Sequence, residues 1–416
     1  MTFQILTKKS KGDNMIVLNE CQEKITNLGI NHILHSSDQV FEFSGEAGTG
    51  KSVVLYEIVR RLGLEPHEVL AMAPTGQAAI IMRTKGFRNA SSIHSSLFEF
   101  VEVIDTDSNG KPKIDPYYNT IKTTRQFVPK SSLPYCIKLM IIDEGYMVPD
   151  YLRPIILKFG IKVVVAGDRG QLPPVKANPA FLYDENVLEL NQLMRQSENS
   201  PIVYLARRAR KGLPIHCGLY GDNVLVIEEN DLDDEMVRKS DIVLCGTNKT
   251  RDTINNHIRH DILGIRNKLP VHGDRLICRK NNWNIEIDGI SLANGLVGSV
   301  TSSPNVGCFD GKIFNIDFKP DLLNCSFRNV ACDYKYFIAD PKDRERIKND
   351  KYSKGNKFEY AYCSTTHLSQ GSEYRGGIYI EENLGVMQNN LNYTGITRFK
   401  KFLIYVKKNK KRYYFI

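Results

Sequence analysis

Nothing in the 416-residue chain stays apolar for long enough to cross a bilayer, which takes about 20 consecutive apolar residues in a helix. The opening stretch, MTFQILTKKSKGDN, lacks the apolar core of a secretory leader. There is no C-x-x-C pair either. Nine cysteines lie scattered singly between Cys21 and Cys363, an odd and unpaired set that excludes a disulfide framework and argues against structural zinc. These absences imply reduced thiols, a cytoplasmic location and no membrane partner. Acidic residues are the minority, 47 against 56 basic, and the resulting charge of +9 favours a polyanionic partner over an acidic substrate. No internal repeat is visible, and the one biased segment is the basic tail Lys407-Arg412.

What is present is an alternation of short apolar runs with helical patterns. Val40-Phe43, Val69-Ala73, Leu139-Ile142 and Val163-Ala166 read as parallel strands covered on both faces. Ile242-Cys245, Tyr360-Ser364, Ile378-Ile380 and Phe402-Val406 repeat that character after an Arg- and Lys-rich helical stretch around Val203-Lys211. A chain of this length needs more than one core, and two α/β domains are expected. Two segments break the alternation. Asn109-Gly110 between Val101-Asp105 and Lys113-Asp115 predicts a hairpin inside a polar insertion from Phe98 to Pro134. From about Thr301 to Lys357, short runs such as Lys312-Phe318 and Tyr336-Ile338, with a charged stretch at Asp340-Lys351, predict a second, β-rich insertion.

Gly45-Glu46-Ala47-Gly48-Thr49-Gly50-Lys51-Ser52 satisfies G-x-x-x-x-G-K-[ST] between a predicted strand and a predicted helix, Ser52-Leu62. Its glycines let backbone N–H groups turn inward around phosphate oxygens. Lys51 then reaches the terminal phosphates and Ser52 can ligate magnesium. Leu139-Ile142 ends in Asp143-Glu144, two carboxylates at the carboxyl edge of a sheet, where α/β proteins collect ligands. Asp143 is the expected second magnesium ligand, and Glu144 the base that orients and deprotonates the attacking water. A third strand leads into Gly167-Asp168-Arg169-Gly170-Gln171-Leu172-Pro173-Pro174-Val175, where Gln171 is placed to sense the terminal phosphate.

The order phosphate loop, D-E, G-D-x-x-Q-L-P-P-V, T-H-x-x-Q-G-x-E and Y-x-x-x-T-R resembles the superfamily 1 helicases, most of all the RecD-like branch (superfamily 1B) and its phage Dda-type members. The resemblance runs from about Leu18 to Val406. It implies two RecA-like P-loop motor domains, ATP and Mg2+ as cofactors, and DNA-stimulated ATP hydrolysis. The activity implied is translocation on single-stranded DNA, 5′ to 3′, with unwinding of duplex DNA in replication or recombination. It also implies a host cytoplasm for a phage-encoded chain, and single-stranded DNA, a duplex fork and single-strand-binding or other replication proteins as partners. By the same resemblance Gln22 contacts adenine, and Arg195 and Arg398 neutralise the γ-phosphate from opposite sides of a cleft. Thr75, His94, Thr366 and His367 become the DNA contacts, bound through phosphates and so carrying no sequence information. Gln370, Gly371 and Glu373 would couple that groove to the nucleotide.

The implied boundaries are residues 1–96 with 136–196 for the first motor domain, 97–135 for a pin insertion, 197–300 with 358–416 for the second motor domain, and 301–357 for an SH3-like insertion. The pin would split the duplex, with Phe98 or Phe100 stacking on the last base pair or merely packing the hairpin onto its domain. The sequence departs from family habit at Gly145-Tyr146-Met147, where a short hydroxyl residue usually follows the acidic pair, and at Gly395 and Phe399. Rival readings are a DNA translocase that does not separate strands, a passive single-strand binder, a kinase and a GTPase. Asn248-Lys249-Thr250-Arg251 lacks the aspartate that a guanine-reading N-K-x-D needs.

Overall fold

In the computed structural model the described residues are 17–107, 109–114, 120–121, 123–184, 186–192, 199–288, 290–302, 312–350 and 354–408. The first part of the chain supplies eight strands: β1 Val40–Gly45, β2 Val69–Ala73, β3 Ser91–Ser92, β4 Phe98–Ile104, β5 Thr123–Pro129, β6 Leu139–Ile142, β7 Lys162–Gly167 and β8 Leu188–Leu190. Six of them form a wholly parallel sheet in the order β3-β2-β6-β7-β1-β8. Successive residues feed opposite cores. Leu139 and Ile141 join the cluster under helices α1 (Glu20–His35) and α2 (Lys51–Arg61), while Met140 and Ile142 join the cluster on the other face. That double burial is why these runs read as continuously apolar, each Val, Leu or Ile contributing about 1.5–3 kcal/mol.

The second sheet has the order β19-β11-β20-β21-β10-β9, from β9 Gly218–Tyr220, β10 Val224–Glu228, β11 Ile242–Cys245, β19 Cys363–Thr365, β20 Tyr374–Ile380 and β21 Phe399–Lys407. All neighbours are parallel except β9 with β10. Here too Ile242 and Leu244 face one core, and Val243 and Cys245 the other. Two parallel sheets in one chain match the expected α/β class.

A third sheet is antiparallel, in the order β17-β16-β15-β12-β18: β12 Arg275–Cys278, β15 Val297–Ser302, β16 Ile313–Pro320, β17 Phe327–Asp333 and β18 Phe358–Tyr360. It draws on more chain than residues 301–357, because β12 pairs with both β15 and β18. The expected strand Tyr360-Ser364 is therefore divided, its start closing this sheet and its end entering the second one. Tyr336-Ile338 is helical and not a strand, within Tyr334–Ile338, where Asp333 Oδ1 caps Tyr336 N at 2.8 Å. Three residues are too few to separate a period of 2 from one of 3.6. The charged stretch forms the helix Pro341–Asn349.

A small hairpin, β13 Asn282–Ile287 and β14 Ile290–Leu292, leaves the third sheet and packs on helix α3 (Gly76–Thr84) of the first unit. Ile80 of α3 is buried in the third sheet's own hydrophobic cluster. The other hairpin pairs β4 with β5 from Phe98↔Pro129 to Ile104↔Thr123. Asn109-Gly110 does make a turn, closed by Asp107 Oδ1 accepting from Asn109 N and Lys111 N, and Lys113 N donates to Asp105 O (2.7 Å) as expected, while Asp115 lies outside the described residues. The strand that pairs β4 along its length is β5. Among the described residues no helix is long and apolar enough to cross a membrane.

Candidate active site and nucleic-acid face

β1 ends at Gly45, and the chain turns through Gly48 (φ 84°) and Gly50 (φ 83°) before α2 begins at Lys51. Those left-handed angles explain the two glycines. Gly45 has a separate reason, since a Cβ there would lie 2.6 Å from Thr49 Oγ1. Thr49 is buried and its hydroxyl donates to Glu46 O at 2.8 Å, so the loop braces itself from inside. Lys51 Nζ donates to Gly45 O (2.8 Å) and Glu46 O (3.3 Å), which holds the ammonium over the loop. Ser52 Oγ donates to Asp143 Oδ2 at 3.1 Å, bringing together the two residues expected to bind magnesium.

Glu144 follows with φ 55°, a left-handed angle costing a non-glycine residue about 1–3 kcal/mol. The residue is half-buried, and desolvation together with the charge of Asp143 raises its pKa against the opposing pull of Arg398 and Lys51. A carboxyl held above the usual range is suited to take a proton from water. Gly145 has no choice of side chain, since a Cβ would meet Val165 Cγ1 at 2.2 Å. Likewise a Cβ on Gly395 would meet the Tyr379 ring at 2.1 Å. Of the departures from family habit, Gly145 and Gly395 are thus set by local packing.

Arg398 reaches this centre from the second sheet. It is buried, with Nε on Thr394 O (3.1 Å), Nη1 on Ser372 O (3.3 Å) and Nη2 on Thr397 Oγ1 (3.2 Å). Gln171 is buried, with Nε2 3.5 Å from Asp168 Oδ2 and an Oε1 that has no partner among the described residues. Gln22 is buried beneath the loop, its Nε2 donating to Thr49 O (2.9 Å) and its Oε1 accepting from Asn19 N (3.0 Å). Arg195 lies outside the described residues. Glu373 pairs with Lys400 (3.1 Å) and Lys85 (3.7 Å). Burial pushes its pKa up, but the two lysines outweigh that and hold it below the usual range.

The two units are joined by Gln370, which the sequence singled out, and by several residues that it did not. The Tyr393 hydroxyl donates to Asp168 Oδ2 at 2.5 Å and accepts from Ala47 N at 3.1 Å. Thr394 Oγ1 accepts from Leu172 N (3.0 Å), Gln370 Nε2 donates to Leu172 O (2.7 Å) and Asn390 Nδ2 to Gly170 O (2.9 Å). From the helix Pro201–Arg210, Arg207 pairs with Glu46 at 2.7 Å, and Arg210 with Glu46 at 3.2 Å and Asp168 at 3.7 Å. Tyr393 stands in the Y-x-x-x-T-R motif, so a signal existed. Arg207 and Arg210 looked like any basic helix face.

On the face expected to meet nucleic acid, Thr75 caps α3 by accepting from Ala78 N (3.2 Å), and Gly371 (φ 73°) presses so close that a Cβ would sit 3.2 Å from Thr75 Oγ1. His94 is half-buried, which lowers its pKa, and stacks on Phe98 at 5.1 Å. Thr366 is fully buried and its hydroxyl donates to Cys245 O (3.1 Å), so it fixes the backbone beside His367 and does not face outward. Burial also lowers the pKa of His367. Phe98 lies at the base of its hairpin between His94 and Phe127, whereas Phe100 is exposed and pairs with Phe127 in register. Phe127, missed in the sequence, also stacks on Trp283 of the β13–β14 hairpin, with ring centroids 5.9 Å apart and planes at 12°. Pairing β4 with its true partner would have revealed Phe127.

A parallel sheet bearing a phosphate loop and an acidic pair, beside a second, mostly parallel sheet whose unit brings the buried Arg398 into the field of that pair, defines a two-domain P-loop α/β fold. The chain belongs to the AAA domain family, whose model matches residues 18–231. It is 25% identical over 386 residues to the ATP-dependent RecD2 DNA helicase of Deinococcus radiodurans, covering 85% of this chain and 45% of the relative. It is 32% identical over 174 residues to the ATP-dependent DNA helicase RRM3 of Saccharomyces cerevisiae, covering 38% of this chain and 21% of the relative. It therefore spans less than half the length of these curated relatives. In fold it is similar to a Pif1 helicase from work on unwinding at forked duplex DNA (TM-score 0.55, 18% identity, 94% and 92% of the two chains covered). It is also similar to Bacteroides Pif1 bound to single-stranded DNA (TM-score 0.53, 18% identity, 94% and 92% covered).

Proposed function

We propose that this chain is an ATP-hydrolysing helicase that moves along single-stranded DNA and unwinds the duplex ahead of it. The observation that carries the reading is the setting of Glu144, half-buried beside Asp143, which touches Ser52 of the phosphate loop, and in the field of Arg398 from the second unit. A hydrolytic centre completed only when two sheets meet is what converts phosphate chemistry into relative motion.

Ser52 Oγ and Asp143 Oδ2 are an oxygen pair that fits magnesium, an ion that takes one or two protein ligands and keeps phosphates and waters for the rest. Bound there, the metal would neutralise phosphate charge. Lys51 and the loop amides from Glu46 to Ser52 hold the phosphates, Glu144 takes a proton from the attacking water, and Arg398 with Arg195 stabilises charge on the transferred phosphoryl group. Gln171, with its free Oε1 in the buried centre, senses that group. Gln22 supports the adenine side through the loop that it braces.

The bonds from Gln370, Asn390 and Thr394 to residues 170–172 carry the state of the nucleotide toward Gly371 and Thr75. Thr75, His94 and His367, the last positioned by Thr366, are the proposed phosphate contacts on DNA. The 5′-to-3′ direction rests on the RecD-like resemblance. Duplexes carrying only a 5′ or only a 3′ single-stranded tail test the whole reading, with Lys51→Ala as the inactive control. Unwinding from the 5′ tail, with ATP turnover stimulated by single-stranded DNA, is expected. ATP turnover indifferent to DNA would overturn it.

A further inference from the structure

Between helix α3 and the short helix α4 (Ile93–Leu97) on one side, and the β13–β14 hairpin on the other, runs a shallow, solvent-open cleft of about 310 Å3, open solvent included. Its floor is apolar, with Ile80 and Ile290 shared with the core of the third sheet. Its rim carries the Trp283 indole, the hydroxyl residues Ser91, Ser92 and Ser95 and the Arg83 side chain. Trp283 is the one tryptophan of the chain. It sits half-buried on a strand with no fully buried residue, so packing of the third sheet does not account for it. The site is held rigid. Arg83 ties α3 to the turn of the hairpin by donating to Asp288 O (2.8 Å) and to Ala90 O (2.7 Å), Gly76 abuts Ala293, and Trp283 is propped by Phe127.

From this geometry we infer that the cleft is a nucleobase site, in which a base of single-stranded DNA stacks on Trp283 while its backbone lies along Thr75-Gly76 and Ser92-His94. The inference rests on the reading that the chain binds single-stranded DNA and adds a base contact to it. An indole with hydroxyl groups beside it suits a flat heterocycle with a polar edge, and stacking tolerates any base because every base has a π face. Phosphate contacts position a strand without gripping its bases. The cleft opens on the segments proposed to make those contacts, so a base attached to a bound phosphate is within reach of the indole.

Because Trp283 is the sole tryptophan, its emission reports the site directly. The full chain is titrated with fluorescently labelled oligothymidylate and with a strand of equal length made of abasic units. Anisotropy reports binding, and tryptophan emission reports stacking. Quenching by oligothymidylate on the same isotherm as anisotropy is expected, with binding but no quenching for the abasic strand. Trp283→Ala should weaken oligothymidylate binding about tenfold, the order of one lost stacked base, and leave abasic binding unchanged. Trp283→Phe should retain most of the affinity. Binding without quenching, equal quenching by the abasic strand, or an equal loss on both strands in Trp283→Ala would overturn the base site and leave DNA binding standing. No anisotropy change with either strand would overturn both.

Discussion

Tyr393 and Asp168 are 225 residues apart in the chain, one on a helix of the second unit and the other just past β7 of the first, yet the tyrosine hydroxyl donates to the aspartate at 2.5 Å. Both groups are buried, and burial with the adjacent carboxylate pushes the tyrosine pKa well up, so the phenol stays protonated and keeps donating. Tyr393→Phe leaves a buried carboxylate short of one donor, a loss of about 1–3 kcal/mol. We expect DNA-stimulated ATP turnover to fall by roughly tenfold or more, measured as kcat with and without single-stranded DNA. Equal stimulation in the variant would show that this bond does not couple the sheets.

Glu46 and Arg207 meet at 2.7 Å where phosphate charge is to be bound. Removing the carboxylate lessens repulsion of the nucleotide, so Glu46→Gln should lower KM for ATP. Arg207→Ala leaves the carboxylate to Arg210 alone and should raise it. The pair is partly exposed, and a coupling of about 0.2–1 kcal/mol is expected. A double-mutant cycle on KM, repeated at high salt where the coupling shrinks, checks this.

The hairpin β4–β5 offers three aromatic candidates for splitting a duplex. Phe98 is packed between His94 and Phe127, while Phe127 is the residue that touches Phe98, Phe100 and Trp283 together. Phe127→Ala should therefore reduce unwinding more than Phe100→Ala, with ATP turnover on single-stranded DNA retained in both. Comparing unwinding rate per ATP hydrolysed decides the order.

His94 has its pKa lowered, with burial as the cause. A histidine buried neutral gives stability that is complete above its unfolded pKa of about 6.5 and is lost as pH falls through the lower folded value. Thermal denaturation at pH 7.5 and 5.5 should show a smaller acid penalty for His94→Phe, which keeps a ring against Phe98 and cannot charge.

Restoring the family's usual small side chain at Gly395 should harm this chain. A Cβ there falls on the Tyr379 ring, whose hydroxyl is anchored to Asn392 at 2.8 Å and so cannot swing away freely. Gly395→Ala should cost about 1–3 kcal/mol, read as a lower urea midpoint at unchanged slope.

Both parallel sheets were legible because strands covered on two faces announce themselves as unbroken apolar runs: Leu139-Ile142 and Ile242-Cys245 match their strands end to end. The phosphate loop and Asp143-Glu144 were legible because their chemistry is written in adjacent residues. Contacts made across the cleft were not. Arg207 finds Glu46, and Phe127 finds Trp283, only after the chain has returned from more than 150 residues away, and no local period records that. Thr366 misled for a similar reason, since the acceptor that turns its hydroxyl inward is Cys245 O.

Ile80 belongs by sequence to the first unit and by packing to the third sheet, whose two chain crossings lie in the second. The third sheet is thus clasped at both ends, and the two joints differ in strength. At the second unit, Arg259 is buried against Asp274 at 3.1 Å, with Asn267 O and Leu269 O as further acceptors and Tyr362 donating to the same aspartate. Removing one partner of such a buried pair costs about 3–5 kcal/mol, whereas the joint at Ile80 is spread over several weaker contacts, with Arg83 on Asp288 O, Gly76 against Ala293 and Phe127 against Trp283. The third sheet is thus a strap between the two units, riveted at one end and laced at the other.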